Sequence, residues 1–129
     1  MKITQFTDFS LRLMLYLADH RDRVVTVREV ADYYAVSSEH LKKIVRRLSE
    51  LGYVSTVRGK NGGLRLACEP HDINLGRLMR EEENLALLPC SDDSHACPMA
   101  TCKLAGVIDE ALGAFLAVLD RRTLADLIQ

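Results

Sequence analysis

Apolar residues in the first fifty positions recur three or four residues apart, the spacing of helices that bury one stripe of side chains. The first such segment covers residues 6–18. A second begins at Thr26 and continues through Tyr34, and Thr26 and Glu29 have the spacing of a capping box, in which each side chain bonds the other residue's backbone N–H. The pattern therefore predicts two consecutive helices, the second of them short.

A third helix is predicted close behind the second. Residues 35–36 connect the two, and Ser37 is placed to cap the third helix through its hydroxyl. The helical period of apolar residues then continues until Gly52, and glycine commonly follows the last turn of a helix. A helix, a tight turn and a helix in this order indicate a helix-turn-helix.

Two short runs of strand-like residues, 53–57 and 64–67, follow the third helix. The segment between them is rich in glycine, and we expect Asn61 and Gly62 to supply the positive backbone angles of a tight hairpin. Arg58 and Lys60 add positive charge at the tip of this hairpin. A basic hairpin directly after a helix-turn-helix indicates a DNA-binding wing that enters a minor groove.

The second half of the chain again predicts helices. Asn74 is placed to cap a short helix of about residues 75–82, and residues 103–119 carry a continuous apolar stripe on a long helix. Residues 123–127 predict a final short helix. A second copy of the chain would cover the long stripe and give a homodimer, whereas packing against the first helix is the alternative. The predicted fold is mostly α with a small β-hairpin: a winged helix-turn-helix plus a long dimerisation helix.

Charge is distributed unevenly along the 129 residues, although the net charge is only −1. Residues 1–68 have twelve Lys and Arg against seven Asp and Glu, whereas residues 69–129 have five against eleven. A basic half suits binding to double-stranded promoter DNA, and an acidic half suits regulation. We predict one compact domain with a winged helix-turn-helix DNA-binding region over residues 1–72 and a cofactor-binding loop plus dimerisation helix over residues 73–129.

The polar face of the third helix combines hydrogen-bonding groups at its amino end with cations further along, as expected for a helix in the major groove. Arg47 also belongs to this polar face. The helix and the wing together give the predicted DNA-contacting residues, which are Ser37, Ser38, Glu39, His40, Lys42, Lys43, Arg46, Arg58, Lys60 and Asn61.

Three of the four cysteines, Cys90, Cys97 and Cys102, lie within thirteen residues between the predicted short and long helices. Their neighbours are polar, so packing does not explain them, and thiolates at this density suit a metal or iron-sulfur site. His95 in the same loop is a competing ligand, and the acidic run of residues 81–83 offers weaker ones. A zinc-stabilised or thiol-switching DNA-binding protein would use the same cysteines.

Several classes of function are disfavoured by the sequence. It has no apolar run of eighteen residues and no secretion signal, so we expect a cytoplasmic protein without a membrane partner. Cysteines in a reducing cytosol are more plausible as ligands or redox sensors than as disulfides. A phosphate-binding loop, a Gly-x-Ser-x-Gly motif and a C-x-x-C motif do not occur, and the four histidines are scattered. We therefore expect a regulator and not an enzyme.

The assembled motifs resemble a known family of regulators. Residues 6–9, the third helix, the wing at residues 57–66, the three clustered cysteines and residues 123–127 carry the resemblance. They are similar to the iron-sulfur winged-helix regulators of bacteria, the family that includes IscR and RirA. Within that family, the start of the chain and the wing are most similar to the nitric-oxide-sensing repressors.

The resemblance implies a homodimer that binds promoter DNA with its iron-sulfur cluster intact and releases the DNA when nitric oxide attacks the iron. It also implies that Cys90, Cys97 and Cys102 hold the cluster while Asp8 of the other subunit fills the fourth position, which favours 4Fe-4S over 2Fe-2S. By position alone, a structural role is favoured for Asp8 in the first turn of a helix, where the helix dipole favours a carboxylate, and the resemblance reverses this preference. His95 as the fourth ligand and a regulator of iron or cluster status from the same family remain alternatives.

Overall fold

The structure is a computed structural model that describes residues 1–92 and 97–129. Within these residues it has five α-helices and one antiparallel two-stranded sheet, so the predicted class is confirmed. None of the helices in this described part has the length and apolar character required to span a membrane. The elements are α1 (Gln5–Asp19), α2 (Val27–Tyr34), α3 (Ser38–Glu50), β1 (Val54–Val57), β2 (Gly63–Leu66), α4 (Leu75–Glu82), α5 (Lys103–Asp120) and 3₁₀ helices at Pro70–Asp72, Pro89–Asp92 and Leu124–Leu127.

The apolar stripes of the helices meet in one core. Leu13 of α1, Ile44 and Leu48 of α3 and Leu78 of α4 are almost completely buried in the same hydrophobic cluster. Removing apolar surface from water in this way supplies most of the stability of a small domain. The core thus spans both halves of the chain and fixes α4 against the helix-turn-helix.

The turn between α2 and α3 is as short as predicted. Ala35 adopts the left-handed conformation, with a φ of 53°, and the backbone N–H of Val36 donates to the carbonyl of Ala31 at 3.0 Å. This closes α2 in the manner of a left-handed helix cap, although an alanine occupies the position that glycine normally takes. The turn directs α3 away from α2 within two residues.

Of the two hydrogen bonds in the capping box predicted for α2, one forms and the prediction of the other is wrong. The hydroxyl of Thr26 accepts a hydrogen bond from the N–H of Glu29 at 3.1 Å, as expected. The carboxylate of Glu29 instead accepts from the hydroxyl of Tyr16 at 2.6 Å and from Arg23 at 2.8 Å. The cationic Arg23, in the turn after α1, and the Tyr16 phenol, in α1, together offer stronger bonds than one backbone N–H.

The hairpin forms as predicted, but its turn does not use the expected residues. β1 and β2 pair antiparallel with Val57 opposite Gly63. The positive φ of 111° lies at Gly59, so the expectation that Asn61 and Gly62 provide positive angles is wrong. The N–H of Gly62 donates to the carbonyl of Gly59 at 3.0 Å, and a Cβ on Gly62 would lie only 2.1 Å from the Val57 oxygen. Glycine is thus required at position 62, because the backbone of Val57 passes too close for a side chain.

α5 packs against α4 at the end of the chain. The guanidinium of Arg80 donates to both oxygens of Asp120, and the side-chain amide of Asn74 donates to the Asp120 carbonyl at 2.8 Å. Gly76 is needed here, because a Cβ would lie 1.9 Å from an Asp120 oxygen. Leu116 is the one buried residue of α5, and its exposed large apolar side chains are Leu104, Val107, Phe115 and Val118.

Candidate functional site

α3 presents most of its predicted DNA-contacting side chains to solvent. Glu39 and Lys42 form an ion pair at 2.9 Å, and Arg46 lies 3.6 Å from Glu50. Lys43 is also exposed. Ion pairs between exposed side chains contribute little to stability, so these cations are free to exchange a carboxylate for a DNA phosphate.

The amino end of α3 is held by contacts with its own backbone and with α1. The hydroxyl of Ser37 accepts from the N–H of His40 at 3.0 Å and therefore caps the helix. The His40 ring lies against Phe6 and Phe9, with centroid distances of 6.5 and 5.7 Å. Ser38 and His40 are half-buried. The structure therefore gives Ser37 and His40 roles in positioning α3.

The tip of the wing is exposed and basic. Arg58, Lys60 and Asn61 all face solvent next to the turn at Gly59. In the described part of the chain, neither Arg58 nor Lys60 forms an ion pair with a carboxylate. A narrow hairpin with unneutralised cations has the shape and charge to enter a minor groove.

Arg47 bonds to residues of this chain, although its position in α3 predicts a place on the polar face of that helix. Its Nε lies 3.1 Å from Oε1 of Glu82, and its Nη2 donates to the backbone carbonyl of Glu81 at 3.3 Å. The Glu82 side chain is only 1% exposed. Arg47 therefore joins α3 to the end of α4. Periodicity alone gives no signal for this pairing, because it depends on where α4 packs.

The three clustered cysteines lie before the start of α5. Cys90 lies exposed in the 3₁₀ helix Pro89–Asp92, Cys97 is exposed, and half-buried Cys102 is the N-cap residue of α5. The Sγ atom of Cys102 accepts from the N–H of Ala105 at 3.4 Å. All are free thiols. Backbone N–H groups directed at sulfur are typical of iron-sulfur ligands, so this donor chemistry fits such a group.

The described residues do not by themselves assemble a metal centre. Among residues 1–92 and 97–129, no three His, Cys, Asp or Glu side chains are close enough together to hold a metal ion. His95 lies outside the described residues. Asp8, in the first turn of α1, forms an ion pair with Arg12 at 2.9 Å, in which both side chains are about half exposed.

Cys68 differs from the three clustered cysteines. It is half-buried after the end of β2 and packs against the core. Burial, together with the nearby carboxylates of Asp72 and Glu69, raises the pKa of its thiol. A thiol held protonated is a poor metal ligand and a poor nucleophile.

The acidic run at the end of α4 is engaged within the chain. Burial, followed by the hydrogen bond to Glu81, raises the pKa of the Tyr53 hydroxyl. Burial opposes the charge of Glu83, but bonds from the Thr4 backbone, Thr7 and the Thr4 hydroxyl outweigh it and lower its pKa. With Glu82 bonded to Arg47, all three carboxylates have partners, which weakens the expectation that they are metal ligands.

An apolar groove separates α5 from the amino terminus. It has a volume of 340 Å³, and its lining includes Ile3, Met79, Leu87, Leu112 and Phe115. The groove continues the exposed apolar residues of α5. Together they form a face that a second helix could cover, as a dimerisation helix requires.

Comparison with known proteins gives consistent results. Residues 3–129 match the Rrf2 family, described as "Iron-dependent Transcriptional regulator". The chain is 43% identical to the HTH-type transcriptional regulator NsrR of Shouchella clausii, over 99% of this chain and 89% of that protein. It is 42% identical to the protein of that name in Bacillus subtilis, over 100% of this chain and 91% of that protein.

Solved structures agree on the fold. IscR of T. potens superposes with a TM-score of 0.80 at 26% identity, over 98% of this chain and 85% of that one. CymR, the global cysteine regulator of B. subtilis, superposes with a TM-score of 0.81 at 26% identity, over 98% of this chain and 95% of that one.

The winged helix-turn-helix with a cysteine-bearing segment before a long helix defines a transcriptional regulator, not an enzyme. The chain belongs to the Rrf2 family. The resemblance drawn from its motifs is therefore confirmed at the level of the family, and NsrR proteins are among its relatives.

Proposed function

We propose that the chain is a DNA-binding transcriptional repressor that senses nitric oxide through an iron-sulfur cluster, releasing its promoter when the cluster is nitrosylated. The observation that carries the proposal is the set of three free thiols at the start of α5, in a chain about 42% identical to NsrR proteins over nearly its whole length. Cys90, Cys97 and Cys102 would hold the cluster, and Asp8 of the second subunit would provide the fourth ligand. This donor set fits 4Fe-4S, which the similarity to NsrR proteins favours over 2Fe-2S.

The chain's own residues would act in two regions. Residues 1–72 bind double-stranded promoter DNA, with the exposed side chains of α3 in the major groove and Arg58, Lys60 and Asn61 in a minor groove. Residues 73–129 hold the cofactor and form the homodimer through the apolar face of α5. A two-fold pair of winged helices matches a palindromic promoter site.

A bound cluster would supply iron with which nitric oxide can react. Asp8 of the second subunit would hold this iron through a carboxylate oxygen, which is a harder and weaker ligand for it than thiolate. Its ion pair with Arg12 is half exposed, so breaking it costs little free energy. Asp8 would therefore have two alternative partners, the iron and Arg12.

The test is purification without oxygen, followed by iron and sulfide analysis, native mass measurement and DNA-binding titration with and without nitric oxide. We expect a thiolate-to-iron absorption band, four irons per subunit, and weaker DNA binding after exposure to nitric oxide. Replacing Cys90, Cys97 or Cys102 with Ser should abolish iron retention, whereas Cys68→Ser is the matched control and should retain it. Colourless protein containing stoichiometric zinc would instead establish the zinc-dependent alternative.

A second candidate function is favoured by the family description, "Iron-dependent Transcriptional regulator". A regulator of iron or cluster status would release DNA when a chelator removes iron, and nitric oxide below the concentration that destroys the cluster would have no effect. The two titrations therefore separate the signals on the same sample.

A further inference from the structure

Three consecutive glutamates at the end of α4 contact three different DNA-binding elements. Glu81 accepts from the hydroxyl of Tyr53, at the start of the wing, at 2.6 Å. Glu83 accepts from the backbone N–H of Thr4, the N-cap residue of α1, at 2.7 Å. Glu82 accepts from Arg47 of α3 at 3.1 Å. The last turn of α4 therefore holds the wing, α1 and α3 together.

The contact with α3 joins a cation to a buried carboxylate. The Glu82 side chain is almost completely buried, so its charge depends on Arg47 for compensation. Arg47 also donates to the Glu81 carbonyl, one of the carbonyls that the helix end leaves unpaired. Two bonds from one guanidinium, to adjacent residues of α4, therefore connect α3 to this helix end.

The same turn is joined directly to the cysteine segment. Residues 83–89 alone separate Glu82 from Cys90. The N–H of Glu83 donates to the carbonyl of Met79 at 2.9 Å and closes the last turn of α4, and residues 84–87 then continue without regular secondary structure to the 3₁₀ helix that contains Cys90. The turn that carries Glu82 is therefore the α-helical element that immediately precedes the cysteine segment along the chain.

We infer that Glu82 is a positioning residue for DNA recognition: through Arg47 it sets the orientation of α3, and through the last turn of α4 it transmits the state of the cysteine segment to that helix. The transmission rests on the proposed function, whereas the positioning of α3 does not. The geometry assigns Arg47 to this contact and not to DNA.

The test compares wild type, Glu82→Gln, Arg47→Gln and the double variant. Arg77→Gln is the matched control, because it removes an exposed ion pair between α4 residues, Arg77 and Glu81. Each protein is titrated with a duplex that the wild type selects from a random library and with a scrambled duplex of the same composition. Both duplexes are measured with cluster-loaded and cluster-free protein, and folding is monitored by thermal melts.

We expect Glu82→Gln to lower the ratio of selected to scrambled affinity about tenfold, the scale of one lost base contact. The double variant should lose no more than either single variant, and Arg77→Gln should keep the wild-type ratio. Iron per subunit should be unchanged in Glu82→Gln, while the affinity difference between loaded and cluster-free protein shrinks. If Glu82→Gln does not fold, Arg47→Lys replaces it, because it keeps the charge and removes the second bond.

Any of three results would overturn the inference. Glu82→Gln could keep the wild-type ratio of selected to scrambled affinity, the losses could add in the double variant, or Arg77→Gln could lose as much as Glu82→Gln. If the wild type binds no iron, the proposed function fails, and the affinity ratio of the cluster-free proteins still decides the positioning role.

Discussion

The Nε atom of Arg12 donates to both carboxylate oxygens of Asp8, at 2.9 and 3.0 Å, within one turn of α1. The guanidinium also lies 5.9 Å from the ring centroid of Tyr34, and the Tyr34 hydroxyl donates to the Arg12 carbonyl at 3.1 Å. Arg12 therefore connects Asp8 to α2 of the helix-turn-helix. A carboxylate that left Arg12 to bind iron would remove one of the two contacts of this guanidinium and leave the one with Tyr34 of α2.

The first prediction concerns Asp8 as a ligand. Asp8→Asn should still bind iron through the cysteines, but a chelator should remove that iron at least about tenfold faster, since even outer-shell changes weaken metal sites on this scale. Loss of the thiolate-to-iron absorption band after chelator addition measures the rate. Asp19→Asn, at the other end of α1, is the control and should match the wild type.

His95→Ala separates the two potential fourth ligands in the same assay. We expect it to lose iron at the wild-type rate. A fast loss in His95→Ala together with a wild-type rate in Asp8→Asn would assign the position to His95 and contradict our proposal.

The second prediction concerns the wing. Arg58→Ala should weaken DNA binding and reduce the slope of log affinity against log salt by about one, as expected for the loss of one phosphate or minor-groove cation. Fluorescence anisotropy over a salt series measures both quantities. Arg122→Ala, an exposed residue after α5, should leave the slope unchanged. An unaltered slope in Arg58→Ala would exclude this residue from the interface.

The elements that the sequence predicts are those that depend on local spacing. Apolar periodicity locates α1, α3 and α5 because burial of one face determines where a helix forms. Ser37 and Asn74 are correctly identified as caps because a cap bonds to a backbone group three residues away. The clustered cysteines and the basic wing of the candidate site are likewise predicted from the sequence, because the residues of each lie close together along the chain.

The features that the sequence misses depend on contacts between distant residues. The Glu29 carboxylate binds Tyr16, which lies thirteen positions earlier, and Arg47 binds Glu82, which lies thirty-five positions later. No local pattern distinguishes such a buried pair from an exposed charge. The turn at Gly59 was misassigned because Asn61 and Gly62 also form a common turn sequence, and the register of the strands decides between them.

The third prediction follows from the environment of Glu29. Bonds from Arg23 and then from Tyr16 lower the pKa of this carboxyl from 4.5 to about 2. Folding therefore gains stability from ionised Glu29 above about pH 4.5, and this gain is lost as the pH falls towards 2. Urea unfolding midpoints should show Glu29→Gln less stable than wild type at neutral pH, with the difference shrinking as the pH falls from 4.5 towards about 2.

Tyr16→Phe provides the graded control for this measurement. It removes the second of the two bonds and keeps Arg23, so its pH dependence should fall between those of wild type and Glu29→Gln. Parallel profiles for wild type and Glu29→Gln would show that the carboxyl has the same pKa in the folded and unfolded chains.

The fourth prediction concerns the apolar face of α5. Val107 is 61% exposed in the single chain, and Val107→Asp would place a charge in the interface that a second subunit is proposed to cover. Sedimentation velocity should show a dimer for wild type and a monomer for this variant. Glu110→Gln, an exposed polar position on the same helix, should remain dimeric. A dimeric Val107→Asp would place the interface elsewhere.

The last prediction concerns the turn of the helix-turn-helix. Ala35 has a φ of 53°, a region that costs a residue with a Cβ about 1 kcal/mol and costs glycine almost nothing. Ala35→Gly should therefore stabilise the protein by up to about 1 kcal/mol, less the greater backbone entropy of glycine in the unfolded chain. Urea unfolding of cluster-free protein measures the change, and Ala31→Gly, inside α2, is the control that should destabilise. A destabilised Ala35→Gly would mean that the entropy of the unfolded chain outweighs the relief of strain at this turn.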